Sequence, residues 1–417
     1  MKFLHGIAGL CGLLAAAPTV AIDGTQVEHY DELAFDERLT LKQVVDATFE
    51  KYPQAALIGA FQEEANALEQ RSSSWIAGYP MIYLQWIDDT VFDNNGLMEV
   101  QSGYQMPLWM WDQKKASERV TDSAKKNAEF FARALRHEVA GLVRGALWNL
   151  RLVENHYELA RQIYEVAERL TAVVERRVEL GDLARADLLL AESDQLEKKT
   201  AMVQAEAEVM HARKAYQNLT RLARAPTRYE EKLSPTRQFT DSHPAIAAAN
   251  TLVERAQAEV EFTRLSKQGN QPSIMLGTNS ARTARVEPFD TGTNLVVQVP
   301  IGGEAWHAPQ VAQANLVLTE RITQREALWR QLERALHEAQ HNLEVDQRAL
   351  DIAQRRKEIA ETQIRMSRLA FETGEIALID YLKIQASAQA AIRDAAQRAI
   401  MVQKDIAVFN QVVGMTP

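Results

Sequence analysis

The chain is written twice. "RRVELGDLARADLLLAES" at 176–193 and "RLAFETGEIALIDYLKIQ" at 368–385 share one order: charged helix, Gly, acidic residue, small apolar patch, Asp, apolar run. Gly181 and Gly374 stand 193 residues apart, and so do Asp187 and Asp380, and Pro107 and Pro300. Upstream, Pro80 and Pro272 are offset by 192 and Pro53 and Pro244 by 191. Self-similarity on this scale requires both halves to fold alike and to pack as related units. Each half reads as helix, strand, loop, strand, very long helix, Gly-containing break and helix, which places the repeats at 22–225 and 243–417. The segment between them, 226–242, is rich in Pro and Thr and predicts an irregular linker.

The long helices carry the sharpest pattern. Leu152, Leu159, Val166, Val173 and Leu180 recur every seven residues, and so do Leu150, Tyr157 and Tyr164. The second half repeats both rows as Val345, Ile352, Ile359 and Met366, then Leu336, Leu343 and Leu350. Spacing of seven is a coiled-coil seam. The rows are displaced by two residues, roughly 200° around a helix, so they lie on opposite sides and each requires a neighbour. A wall of helices, flat or closed into a tube, meets that requirement; a small bundle with one centre does not. Pro107 to Gly181 is 74 residues, and a helix of roughly 70 residues is on the order of 100 Å long.

The N-terminus reads as an export signal over 1–21: Lys2, an apolar Ile7–Ala17 core, and Thr19-Val20-Ala21 before a mature start near Ile22. Cys11, the only cysteine in the sequence, falls inside that signal behind Leu10 rather than a small residue, so neither a disulfide nor an acyl anchor is expected. No stretch is apolar for long enough to span a membrane as a helix. A net charge of −9 argues against nucleic acid as a partner.

Four strand-like segments are expected at about 79–91, 98–107, 272–282 and 292–300. Ile82, Leu84, Ile274 and Leu276 fall on one parity, with Tyr83, Gln85, Met275 and Gly277 on the other, as for strands with one apolar and one wetter face. Four strands cannot close a membrane barrel, because the smallest have about eight, so a membrane reading needs several chains. The pattern alone also suits a soluble β-layer packed on helices. Trp75, Trp86, Trp109, Trp111 and Trp306 cluster near the strands, where they serve either strand-end packing or an interfacial aromatic belt.

The signal, the two 193-offset halves, the paired strands near Pro107 and Pro300, and the Gly…Asp breaks at 181–187 and 374–380 together resemble the TolC-like outer-membrane efflux channel family, whose metal-exporting members are similar in length. The resemblance implies a mainly α fold with a small β part. Four strands per chain would contribute to a trimeric outer-membrane β-barrel set on an α-helical periplasmic tunnel. It also implies a homotrimer in outer-membrane lipid, a periplasmic membrane-fusion adaptor, and an inner-membrane pump, the RND type being one candidate. No enzymatic activity and no cofactor are implied. The breaks, at about 179–187 and 372–380, would be the periplasmic tips. Gly181 and Gly374 suit left-handed helix ends, and Asp187 and Asp380 suit free amides at the next helix start. Leu183, Ala184, Ile376 and Ala377 would then offer an adaptor a small apolar groove. Asp380 matches the first of two carboxylates that constrict the mouth in some members, but the second position is Lys383, a departure from the acidic pattern.

Two other classes are weighed. A soluble periplasmic coiled-coil scaffold or adaptor would use the strands as a small soluble domain. His337-Glu338-Ala339-Gln340-His341 also fits the zinc motif H-E-x-x-H. The positions equivalent to its histidines in the first half are Arg144 and Trp148, and no third ligand follows at a suitable spacing, so a charged helix face is the expected reading.

Overall fold

The structure is a computed structural model describing residues 32–266 and 271–417. The export signal and Cys11 lie outside those residues. In chain order the elements are β1 (Ala34–Asp36), α1 (Leu41–Lys51), a 3₁₀ turn (Pro53–Ala55), α2 (Ala56–Ser73), β2 (Met81–Asp88), β3 (Met98–Pro107), α3 (Gln113–Glu179), α4 (Arg185–Thr220), β4 (Arg224–Pro226), α5 (Pro244–Leu265), β5 (Ser273–Arg282), β6 (Asp290–Gln298), α6 (Glu304–Glu372) and α7 (Leu378–Val412). The duplication is therefore physical: α2-β2-β3-α3-α4 is repeated as α5-β5-β6-α6-α7. Among the described residues no helix is long and apolar enough to cross a membrane.

α3 has 67 residues and α6 has 69, on the order of 100 Å each. Contacts run α4 to α3, α3 to α7 and α7 to α6, so the four helices form a wall in the order α4-α3-α7-α6. The opposed heptad rows explain that order. On α3, one row packs on α4, where Thr171 donates to the Ala191 carbonyl at 3.2 Å. The other row turns towards α7, with Leu159, Val166 and Val173 facing Tyr381 and Ile392. On α6, Leu336 and Ala339 pack on Phe409 of α7, while Val345, Ile352, Ile359 and Met366 remain exposed. On α4, Leu189, Leu196 and Val203 form a further exposed row spaced by seven. Both edge helices thus end on an unfilled seam.

β2-β3-β5-β6 form one antiparallel sheet, and β2 and β6 are its open edges. Register fixes the faces: Ile82, Tyr104, Leu276 and Leu295 lie in one cross-strand row, and Tyr83, Gly103, Gly277 and Asn294 lie in the next, on the opposite face. The first face is apolar and exposed, with Ile82 at 82%, Leu84 at 74% and Leu295 at 66%. On the other face Tyr83 lies across Gly103, where a Cβ would come within 2.4 Å of its ring, and Asn294 donates to the Tyr83 hydroxyl at 3.3 Å. Glycine is required there by the close approach of that ring. Trp109 donates to the Ser74 carbonyl at 3.0 Å and is a packing residue, whereas Trp75, Trp111 and Trp306 are exposed at the sheet-to-helix junction.

Some expected boundaries move. The first strand stops at Asp88 rather than 91, because Asp89 accepts from the backbone amides of Asn95 and Gly96 and folds the following residues into a loop. The fourth starts at Asp290 and ends at Gln298, two residues before Pro300. The linker was expected to be irregular, and its first residue, Pro226, instead ends β4, which pairs in parallel with β1.

The remainder of the linker is tied down halfway along the wall. Arg144 on α3 is 4% exposed in its side chain and makes a bidentate pair with Glu231, at 2.8 and 2.7 Å. It also donates to the Met415 carbonyl at 3.0 Å and to the side chain of Gln411. Asn410 donates to the Lys232 carbonyl at 2.9 Å and accepts from the Ser234 amide at 2.9 Å. Beside this network the rings of His137 and His243 meet edge to face, 5.0 Å apart. Burial, then His243 and Arg144, push the His137 imidazole down to about 4. The folded-state value lies below the unfolded one of about 6.5, so the unfolded chain binds more protons between these values and stability falls as pH drops through that window. The expected loss is up to about 1.4 kcal/mol per pH unit. Thermal unfolding followed by helical circular dichroism should shift downward between neutral pH and the acid end of the window, and His137→Gln should flatten that dependence. An equally steep dependence in the variant would remove His137 as its source.

Candidate functional site at the helical tips

The two tips are built alike. Gly181 has φ +82° and donates to the Val178 carbonyl at 3.0 Å, while Asp182 donates to Arg177 at 2.8 Å. Gly374 has φ +78° and donates to Phe371 at 3.2 Å, while Glu375 donates to Ala370 at 2.8 Å. Both are Schellman ends, whose left-handed residue carries almost no penalty only when it is glycine. A Cβ at either glycine would meet nothing within 4 Å, so the cost of substitution is confined to the backbone.

The aspartates part company. Asp187 accepts from the Ala184 amide at 3.3 Å and closes the start of α4. Asp380 instead makes an ion pair with Lys383 at 3.6 Å, with both side chains more than half exposed. Its side chain does not cap α7, because Lys383, one turn on, competes for it. An exposed pair of this kind contributes at most about 1 kcal/mol. Leu183 and Ile376 pack on a cluster of Val174, Ala191, Phe371, Leu378 and Tyr381, whereas Ala184 and Ala377 remain exposed at the helix starts.

Three residues that hold the tips together carried no sequence expectation. Arg177 donates to the Phe371 carbonyl at 3.2 Å and lies over its ring at 5.3 Å. Phe371 stacks on Tyr381 at 5.2 Å and 10°. The signal was present in the repeat itself: 193 residues from Arg177 stands Ala370, and Val178 and Leu188 stand opposite Phe371 and Tyr381. At these positions the halves differ, and Arg177 of the first repeat reaches Phe371 of the second.

Gly374→Val should cost at least about 1 kcal/mol at its turn, since a β-branched residue is strained at positive φ. The disturbance should stay local: limited proteolysis should cut near 372–378 sooner while the long helices retain their helical signal. Unchanged proteolysis would mean that the turn relaxes without cost.

His337 and His341 project from the open side of α6, both exposed, with ring centroids 6.3 Å apart. Among the described residues no three His, Cys, Asp or Glu side chains form a group able to hold a metal ion.

No protein-family model matches the chain, and no curated protein does. Solved structures do. The CmeC outer membrane channel of Campylobacter jejuni superposes with a TM-score of 0.69 at 16% identity, covering 90% of this chain and 85% of that one. VceC, an outer membrane protein of Vibrio cholerae, gives 0.71 at 13% identity, covering 90% and 97%. The open state of the MtrE outer membrane channel of Neisseria gonorrhoeae gives 0.66 at 15% identity, covering 94% and 93%. The wall of long helices, the four-stranded sheet and the paired tips are therefore the fold of the TolC-like outer-membrane channels.

Proposed function

We propose that the chain is the outer-membrane channel of a tripartite efflux system. It conducts substrates passively, without catalysis, from an inner-membrane pump and a periplasmic adaptor to the exterior. The observation that carries this reading is the pair of unfilled edges: a helical wall ending on exposed heptad rows, continuous with a sheet whose two edge strands are open and whose exposed face is apolar. A sheet in that state is an aggregation hazard in water and a barrel segment in lipid. The structural neighbours carry the same fold and are channels by name.

The repeat supplies the way the edges close. Within the chain, α3 packs on α7 with Arg144 beside Gln411 and Val174 in one cluster with Tyr381. Shifting that relation by 193 residues sets α6 of one copy against α4 of the next, with Met366 against Leu189, Ile359 against Leu196 and Ile352 against Val203. Three copies would close twelve strands and twelve long helices, with Gly181, Leu183, Ala184, Asp187, Gly374, Ile376, Ala377 and Asp380 at the adaptor-facing mouth and the Asp380–Lys383 pairs around its rim.

Cysteine cross-linking tests this directly, because Cys11 is the only native cysteine. Leu196→Cys with Ile359→Cys should oxidise in outer-membrane fractions to a covalent trimer, while either variant alone should not. A monomer that is free of membrane and unchanged on oxidation would favour the soluble scaffold and end this proposal.

A further inference from the structure

α3 and α7 are joined at the tip cluster and again at the Arg144 network, and between these anchor points their seam has a gap lined by both helices. Just inside the tip the gap widens into a cleft of about 340 Å³, walled by α3 and α6 and floored by α7. That volume is within the range of sites for small organic molecules. Its chemistry is divided. Ile163, Val166, Val173, Ile364, Phe371 and Ile392 give an apolar lining, and the charged lining residues are Arg169, Arg368, Arg393 and Glu372. Glu372 is taken by Arg368 at 2.8 Å, while Arg169 and Arg393 have no carboxylate partner among the described residues. Gln385 also lines the cleft; it is 6% exposed, and its Oε1 is buried without a hydrogen-bond partner. A buried amide oxygen needs a donor, which an acyl carboxylate or sulfate does not bring, so recognition of an anion here rests on the guanidiniums at the rim.

The lining also has a direction. Along α7 it runs from Tyr381 to Arg393, on the order of 18 Å of helix. Arg393 stands at the end away from the tip and the stacked Phe371–Tyr381 pair at the other. We propose that this cleft binds an elongated amphipathic anion, an acyl chain ending in a carboxylate or sulfate, with its acid group on Arg393 and its tail reaching Phe371 and Tyr381. The apolar lining excludes a free inorganic anion as the preferred occupant, and the two unpaired guanidiniums disfavour a cationic amphiphile. Opposite the cleft, α6 carries its exposed heptad row, so a neighbouring copy seated on that row leaves the cleft open. The site is built within one chain and holds whether or not the channel reading does. Because Phe371 and Tyr381 belong to both the cleft and the tip cluster, an occupant would press on the packing that holds the tips.

The test is photolabelling of the purified full-length protein with a diazirine-bearing dodecanoate, followed by peptide mapping. Adducts are expected within 159–173 and 381–393. Arg393→Met should reduce them roughly tenfold, as for loss of one charge-assisted hydrogen bond. Arg393→Lys should retain most of the labelling, and Ile163→Trp, which fills the cleft, should abolish it. The helical signal of each variant checks folding. Adducts confined to the strands, labelling indifferent to Arg393→Met, or equal labelling by the corresponding dodecylamine would overturn the proposal. So would a protein partner captured by a photoreactive residue at position 163 in place of the probe, since that would assign the cleft to a helix of another protein.

Discussion

Aspartate at both Ile352 and Ile359 should leave the chain folded and prevent its assembly. In the single chain these side chains are 64% and 49% exposed, so replacing them removes only part of their internal packing. Across the proposed α6–α4 seam they would face Val203 and Leu196, where each isoleucine contributes roughly 1.5–3 kcal/mol by burial. Each carboxylate would instead be desolvated beside an apolar partner, at several kcal/mol more. A closed trimer repeats that penalty at three seams, far beyond what one seam of surface contacts offsets. Native mass measurement in detergent should therefore show monomer with full helical content, and export through the proposed channel should be lost. The matched control is aspartate at Leu343, which is buried inside the chain and should reduce helical content rather than assembly. A variant of unchanged mass would show that α6 does not form the seam.

The seams were legible in the sequence because a heptad row is a local property of one helix, and two rows offset by two residues already require neighbours on both sides. What the periodicity left open was which rows are filled within the chain. The α3 rows and the α6 rows are equivalent in sequence, yet α3 lies inside the wall and α6 at its edge. Arg144 and His337 make the same point: they occupy equivalent positions, one deeply buried in a salt bridge and the other exposed. The strand faces were legible for a similar reason, since a period of two needs no knowledge of partners. The pairing of β1 with β4 was not, because two three-residue strands nearly 190 residues apart have no periodicity to show. At the tips, Gly181 and Gly374 were readable from backbone chemistry alone. The different behaviour of Asp187 and Asp380 was within reach as well, since Lys383 follows Asp380 by one turn and Leu190 stands at the matching place after Asp187.

Arg144→Met should strongly destabilise the helical wall. Methionine keeps much of the side-chain stem, so the packing loss is small, and what is removed is the only guanidinium that neutralises Glu231 in this network, whose side chain is 15% exposed. Removing one partner of a buried pair costs about 3–5 kcal/mol, because the other charge is left uncompensated. The same change withdraws donors from Met415 and Gln411 and loosens the C-terminal end of α7 on α3, where Gln411 still donates to the His137 carbonyl at 2.8 Å and Asn410 still holds the linker. The expected result is a marked fall in unfolding temperature together with early proteolysis after residue 405. Adding Glu231→Gln should restore much of the loss, since an amide in that position carries no unpaired charge and can still hydrogen-bond. That reversal separates charge compensation from packing: if the double variant is no more stable than Arg144→Met, the arginine acts as a spacer between α3, the linker and α7, and its charge is incidental.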